Sequence, residues 1–144
     1  MKKQQDEKLA AIVELMETIG EVRRSLRYYF GGLMKQNDFC VTMEMLEVLQ
    51  ILWRRDNINQ QEIVEKTNRN KASITSLIDN MAARGLVRRT SDPADKRSNL
   101  IQLTEEGRSY QQKMKPILHE FYTLLRGQLT DEEIASTLAM MKSI

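Results

Sequence analysis

"RRTSDPADKRSNLIQLTEEG", Arg88 to Gly107, decides how this chain folds. It lies between two segments of helical periodicity, yet it carries turn formers, charge and then a short apolar alternation. "LVRRT" and "SNLIQLT" read as two strands. The intervening "SDPADKR" contains Pro93 with Asp92 and Asp95. It is longer than a tight hairpin turn and projects as a loop. Thr104 closes the second strand and caps a helix, with Glu105 and Glu106 in a first turn that favours anions. The rest of the sequence has to account for a cationic hairpin set into a helical chain.

Before the hairpin, "KASITSLIDNMAARG" places Ile74, Leu77, Ile78 and Met81 on one helical face. Gly85 stands where a left-handed C-cap is wanted. "NQQEIVEKT" is a short helix with Asn59 as N-cap and Glu62 at capping-box spacing, and "NRN" is the turn between the two. "TMEMLEVLQILWRR" is a further helix, opened by Thr42 and Glu44 and closed by Arg54 and Arg55. "DNIN" breaks it, with Ile58 as a single short strand residue.

The ends of the chain are also helical. From Asp6 to Met34, Leu9, Ile12, Met16, Ile19, Leu26, Phe30 and Leu33 recur at steps of three and four, ending near "GGLMKQND". Beyond the hairpin a helix from Glu105 to about Gly127 lines up Tyr110, Met114, Ile117, Phe121 and Leu124, with Pro116 as a possible bend. "TDEEIASTLAMMKSI" follows, with Thr130 and Glu133 at capping-box spacing.

The fold class is therefore mostly α with a small β-wing. A winged helix-turn-helix occupies about residues 40–104, and candidate dimerisation helices occupy about 6–34 and 105–144. All belong to one domain, as 144 residues allow. The broad apolar stripes at both ends either pack on their own domain or meet a second copy of the chain.

Composition excludes more than it selects. The total charge is only +2, but Thr67 to Leu100 holds seven basic and three acidic residues, a net +4, leaving −2 elsewhere. Positive charge is thus gathered on the helix before the hairpin and on the hairpin itself. One cysteine, Cys40, excludes an intrachain disulfide and suits a reducing cytoplasm. The N-terminus lacks a signal peptide's apolar core, and no run of about 18 apolar residues reads as a membrane span. No nucleophile–base pair, Gly-rich phosphate loop or metal cluster points to an enzyme. His119, the single histidine, has no partner at ligand spacing. No cofactor or metal is expected.

Two capped helices joined by a short turn, then a basic hairpin, suit double-stranded DNA. The major groove admits one α-helix, whose N-terminal residues reach base edges. Lys71, Ser73, Thr75 and Ser76 lie opposite the apolar face, with Arg69 just before them. Lys and Arg neutralise phosphate, Ser and Thr bond to bases or phosphates, and the helix N-terminus favours phosphate oxygens. Either feature alone is more often a solvated surface; in this order, with the charge gathered on them, they favour DNA. A winged helix docking another protein is the alternative.

These residues resemble the MarR (multiple antibiotic resistance regulator) family. Its pattern falls on Glu62 and Ile63, then on Lys71, Ser73, Ile74 and Thr75, on Asp79, and on Gly85, Leu86 and Val87. In the wing it falls on Asp92, Pro93, Asp95, Lys96 and Arg97, and after the wing on Leu103, Thr104 and Gly107. The resemblance implies a homodimeric, ligand-responsive repressor on a pseudo-palindromic operator. It implies that Arg97 enters the minor groove steadied by Asp95, and that Lys96 meets phosphate. Ser76 stands where the family often has a basic residue, and Val64 and Thr67 where small or aliphatic residues are usual.

The resemblance further implies dimerisation through Leu9, Ile12, Met16, Phe121, Leu125, Ile134 and Leu138. It also implies a pocket for a small amphipathic or phenolic effector, with Tyr28, Tyr29, Met43 and Met45 as lining candidates; ordinary core packing is the competing reading for each. Cys40 lies before Thr42 rather than early in the first helix, where peroxide-sensing relatives carry their cysteine. As a lone cysteine it reads as a small buried hydrophobe or a redox sensor. Arg88 and Arg89, on the entering arm, meet either phosphate or solvent.

Overall fold

The computed structural model describes residues 2–144, with side chains from Gln4. The chain forms two compact units that divide at Met43 and Glu44. The first is built on α1 (Lys2–Gln36). This helix runs through Gly31 and Gly32 and ends inside the loop-forming stretch of residues 31–38. Each glycine costs about 1 kcal/mol relative to alanine. Phe30, Leu33 and Met34 are buried in the same turns, and burial of such side chains contributes roughly 1.5–3 kcal/mol apiece. The helix ends one turn later. Asp38 adopts φ 56°, the Asn37 side chain donates to Leu33 O (2.8 Å), and the Phe39 amide donates to Met34 O (3.0 Å). Earlier in α1 the apolar stripe is uncovered, with Leu9, Ile12, Val13, Met16 and Val22 all exposed.

The second unit contains α2 (Met43–Arg54), β1 (Ile58–Asn59), α3 (Gln60–Thr67), α4 (Lys71–Ala83), β2 (Val87–Ser91), β3 (Asn99–Leu103), α5 (Glu105–Arg126) and α6 (Asp131–Lys142). The hairpin is part of a three-stranded antiparallel sheet in the order β1-β3-β2. Ile58 pairs with Ile101 and Asn59 with Leu100, so β3 has a neighbour on both sides. Leu49, Leu52, Ile58, Ile63, Ile74, Ile78, Met81, Ile101 and Met114 fill the core between sheet and helices.

Local chemistry sets the helix ends. The Asn59 side chain accepts from the Glu62 amide (2.8 Å) and caps α3. The box is only half made, because the Glu62 carboxylate turns to Arg55 (3.1 Å) and Lys66 (3.8 Å). Asn70 caps α4 by accepting from the Ser73 amide (2.8 Å). At the other end Gly85 takes φ 69°. Its amide donates to Ala82 O (2.9 Å) and the Leu86 amide to Met81 O (3.0 Å), the pair of bonds that defines a Schellman cap. Thr130 and Glu133 form a complete capping box on α6. The backbone amide of Thr130, and then its hydroxyl, hold the Glu133 carboxyl below its ordinary pKa.

The tightest corner lies where β2 leaves α4. The Leu86 carbonyl accepts from the Thr104 amide (3.1 Å) and from Thr104 Oγ1 (3.0 Å), which also reaches Gly85 O (2.5 Å). Thr104 Oγ1 in turn accepts from the Gly107 amide (3.0 Å) and so caps α5. Gly107 is buried, and a Cβ there would fall well inside van der Waals distance of Leu86 O. Trp53 Nε1 donates to the Gly107 carbonyl (2.9 Å). Asp56 completes the junction. Its carboxylate accepts from the Leu103 amide (2.8 Å) and pairs with Arg108 (2.8 Å).

Gly107→Ala forces α5 away from Leu86, and the expected loss is about 3 kcal/mol, the upper range for overpacking. Urea unfolding followed by the fluorescence of Trp53, the single tryptophan, checks this. An unchanged midpoint would show that the corner opens without cost.

Candidate nucleic-acid interface

Helix α4 turns Ile74, Ile78 and Met81 into the core and leaves Lys71, Ser73 and Ser76 exposed. Burial separates these two sets at helical spacing, so the polar face is the one away from the core. Asn80, one turn beyond Ser76, is exposed on the same face. The sequence reading passed over it, although its i+4 spacing from Ser76 was visible. An amide carries both a donor and an acceptor, the pattern that matches an adenine edge.

Thr75 is only partly exposed, and its hydroxyl is occupied. It donates to Lys71 O (2.9 Å) and accepts from Gln60 Nε2 (2.8 Å). Thr75 therefore ties α4 to α3 rather than standing ready for a base. Arg69 also departs from its expected place. It turns back to Glu47 on α2, with Nη2 at 2.9 Å from the carboxylate, and its Nε is buried without a partner. The turn between α3 and α4 presents this guanidinium to α2, where the carboxylate pairs with it. Thr67, an unusual residue for the family position, is buried and donates to Ile63 O (2.8 Å).

The wing tip is organised by its two aspartates. The Asp92 carboxylate accepts from the Ala94 amide (2.8 Å) and the Asp95 carboxylate from the Arg97 amide (2.9 Å). The Ser98 amide donates to Asp95 O (2.9 Å), making a turn with Lys96 and Arg97 at its corner. Asp95 thus acts on the backbone of Arg97; the expected carboxylate–guanidinium pair is not what it forms. Among the described residues, no ion pair engages Lys71, Lys96 or Arg97, and all three are exposed.

Strand parity separates the two arginines of the entering arm. Arg88 lies opposite Gln102 on the outer face, and its Nε donates to Gln102 Oε1 (2.7 Å). Arg89 shares the inner face with Val87, Ile101 and Leu103. It pairs with Asp79 of α4 through Nη1. Its Nη2 reaches Gln60 Oε1 (3.3 Å) and Thr75 O (3.4 Å). In this structure neither arginine is left to solvent alone.

Residues 41–99 match the sequence pattern of the MarR family. Over 126 residues the chain is 30% identical to the uncharacterized HTH-type transcriptional regulator YsmB of Bacillus subtilis, covering 83% of this chain and 86% of that one. The chain belongs to the MarR family. It is 23% identical over 133 residues to HTH-type transcriptional repressor NicR of Pseudomonas putida, covering 91% of this chain and 84% of that protein. Its fold matches the crystal structure of an E. coli MarR mutant complexed with operator DNA, with a TM-score of 0.83 at 22% identity. The match covers 92% of this chain and 94% of that one. As a MarR-family protein this chain is a DNA-binding transcriptional regulator, and the face carrying Lys71, Ser73, Ser76 and Arg97 is its candidate DNA surface.

The effector candidates differ in exposure. Tyr28 is 87% exposed, Tyr29 is 37% exposed and Met45 is in the core. A cavity of about 390 Å³ in the first unit is lined by Gly31, Met34, Lys35, Asp38, Phe39, Cys40, Val41, Thr42 and Met43. Of the four candidates, Met43 alone lines it. No periodicity in the sequence ties Tyr28 and Tyr29 to the segment after α1. Cys40 is exposed, with Sγ 3.8 Å from Asp38 O, so it is not a small buried hydrophobe. No described helix is long and apolar enough to cross a membrane.

Arg69→Ala is expected to lower stability by at most about 1 kcal/mol, because the Glu47 pair is partly exposed. It is expected to leave the salt dependence of DNA binding unchanged. A fall of about one in the slope of log K against log salt per protomer would instead place Arg69 on phosphate.

Proposed function

We propose that this chain is a cytoplasmic, homodimeric repressor that binds a pseudo-palindromic operator, with Arg97 in the minor groove and α4 in the major groove. One observation carries the reading. The exposed polar face of α4 and a wing tipped by unpaired Lys96 and Arg97 belong to one compact unit. A helix for one groove and a guanidinium on an ordered turn for the next is the arrangement that a winged helix requires.

Dimerisation is supported by the apolar side chains that the single chain leaves uncovered. Leu9, Ile12 and Met16 are exposed on α1, and Ile134 and Leu138 on α6, while Phe121 and Leu125 are half-buried. Exposed apolar patches of this kind mark association surfaces. A two-fold dimer presents two α4 helices to half-sites about one helical turn apart. NicR, the relative named as a repressor, supports repression as the output. The cavity beside Cys40 is within the range of small-molecule pockets. It supports a small amphipathic or phenolic effector that acts by favouring a protomer geometry with misplaced recognition helices.

The test uses the full chain and a duplex that it selects from a random-sequence pool. Binding is expected to fall steeply with salt, and sedimentation is expected to show a dimer. Arg97→Ala is expected to weaken binding by about tenfold and to reduce the salt slope by about one per protomer without changing the dimer. Failure to enrich any sequence would contradict the regulator reading. Wild-type affinity in Arg97→Ala would contradict the wing assignment.

A further inference from the structure

We infer that Arg89 is a positioning residue for DNA recognition, which fixes the wing to the recognition helix so that the two contacts are presented in one geometry. The inference rests on the DNA-binding reading and assigns Arg89 a different role from Lys96 and Arg97.

Three observations carry it. Arg89 lies on the core-facing side of β2, opposite Ile101, so its side chain enters the angle between wing and helix. Its guanidinium is divided between partners. Nη1 pairs with Asp79, and Nη2 reaches Gln60 Oε1 (3.3 Å) and the Thr75 carbonyl (3.4 Å). Gln60 then returns to α4 through Nε2, which donates to the Thr75 hydroxyl at 2.8 Å. Arg89 of the wing, Gln60 of α3 and Thr75 of α4 thus form a closed polar ring, and Asp79 of α4 joins it through Arg89. A planar fork with several donors can span such partners at once, whereas an ammonium is a point charge.

The ring holds the inner face of the wing below its tip. Counted along β2 and β3, Arg89 lies well short of the tip turn that carries Arg97. Small rotations at the base become larger displacements at the tip, so a loosened base misplaces Arg97 relative to Ser73 and Ser76. Charge alone predicts the opposite sign for one change. Asp79 is an exposed carboxylate on the helix that approaches DNA. Removing its charge reduces repulsion of phosphate and releases a guanidinium, both of which favour tighter binding.

The full chain is titrated with two duplexes at several salt concentrations, one selected by the wild-type protein and one of random sequence. Asp79→Asn and Arg89→Ala are each expected to weaken binding to the selected duplex by about tenfold or more, as misplaced contacts do, and to leave the salt slope unchanged. Binding to random sequence is expected to change far less, and Arg89→Lys is expected not to restore the loss. Equal or tighter binding by Asp79→Asn overturns the proposal. So does a slope that falls by about one per protomer in Arg89→Ala with recovery in Arg89→Lys, because that marks a phosphate contact. Asp79 is more than half exposed, so Asp79→Asn is expected to keep the wild-type circular dichroism and keeps the test decisive if Arg89→Ala is poorly folded. If the wild-type chain selects no sequence, it is the DNA-binding reading that fails.

Discussion

The carbonyl of Leu86 is the point on which the second unit depends. It follows the left-handed Gly85 that ends α4, receives the Thr104 amide and hydroxyl, and lies against the Cα of Gly107. The end of the recognition helix, both strands of the wing and the first turn of α5 therefore meet within a few atoms. Buried backbone groups are satisfied there by each other rather than by water. This constraint explains why a threonine and a glycine stand three residues apart. The threonine must cap a helix and bond backward, and the glycine must let that helix approach a backbone oxygen.

The corner decides where the wing begins, and Arg89, three residues later, decides where it goes. Val87 continues from the corner into the core, and parity sends Arg89 to the same face. Asp79, Gln60 and Thr75 meet it there. At the tip, Asp92 and Asp95 bond to backbone amides two residues on, so the turn bearing Lys96 and Arg97 is ordered without using their side chains. Among the described residues Lys96 and Arg97 form no ion pair and are left for the proposed phosphate contacts, while other basic side chains are consumed in holding the shape. Arg69 and Arg89 are basic residues of the second kind.

Much of this was legible in the sequence, for local reasons. The caps at Asn59, Thr104 and Thr130, the glycine at 85 and the projecting hairpin follow from residues within four positions of one another. The resemblance added the motif joining Leu103, Thr104 and Gly107, although only the structure gave Gly107 its steric reason. The inward direction of Arg89 follows from its alternation with Val87. Other features depend on distant partners. Arg69 meets Glu47, 22 residues away on another helix, and no spacing rule connects them. The end of α1 lies within two residues of Met34, where the apolar repeat ends, because Phe30, Leu33 and Met34 are buried past Gly31 and Gly32. The third strand needed the pairing of Ile58 with Ile101, a long-range fact.

The central claim is that recognition helix and wing read DNA as one body joined through Arg89 and Asp79. A double-mutant cycle on these two residues, scored by affinity for a selected duplex at fixed salt, tests it most directly. The account predicts strong non-additivity, with the double variant binding no more weakly than the weaker of the two single variants. Additive losses would contradict it, because they would show that the two residues act on DNA independently.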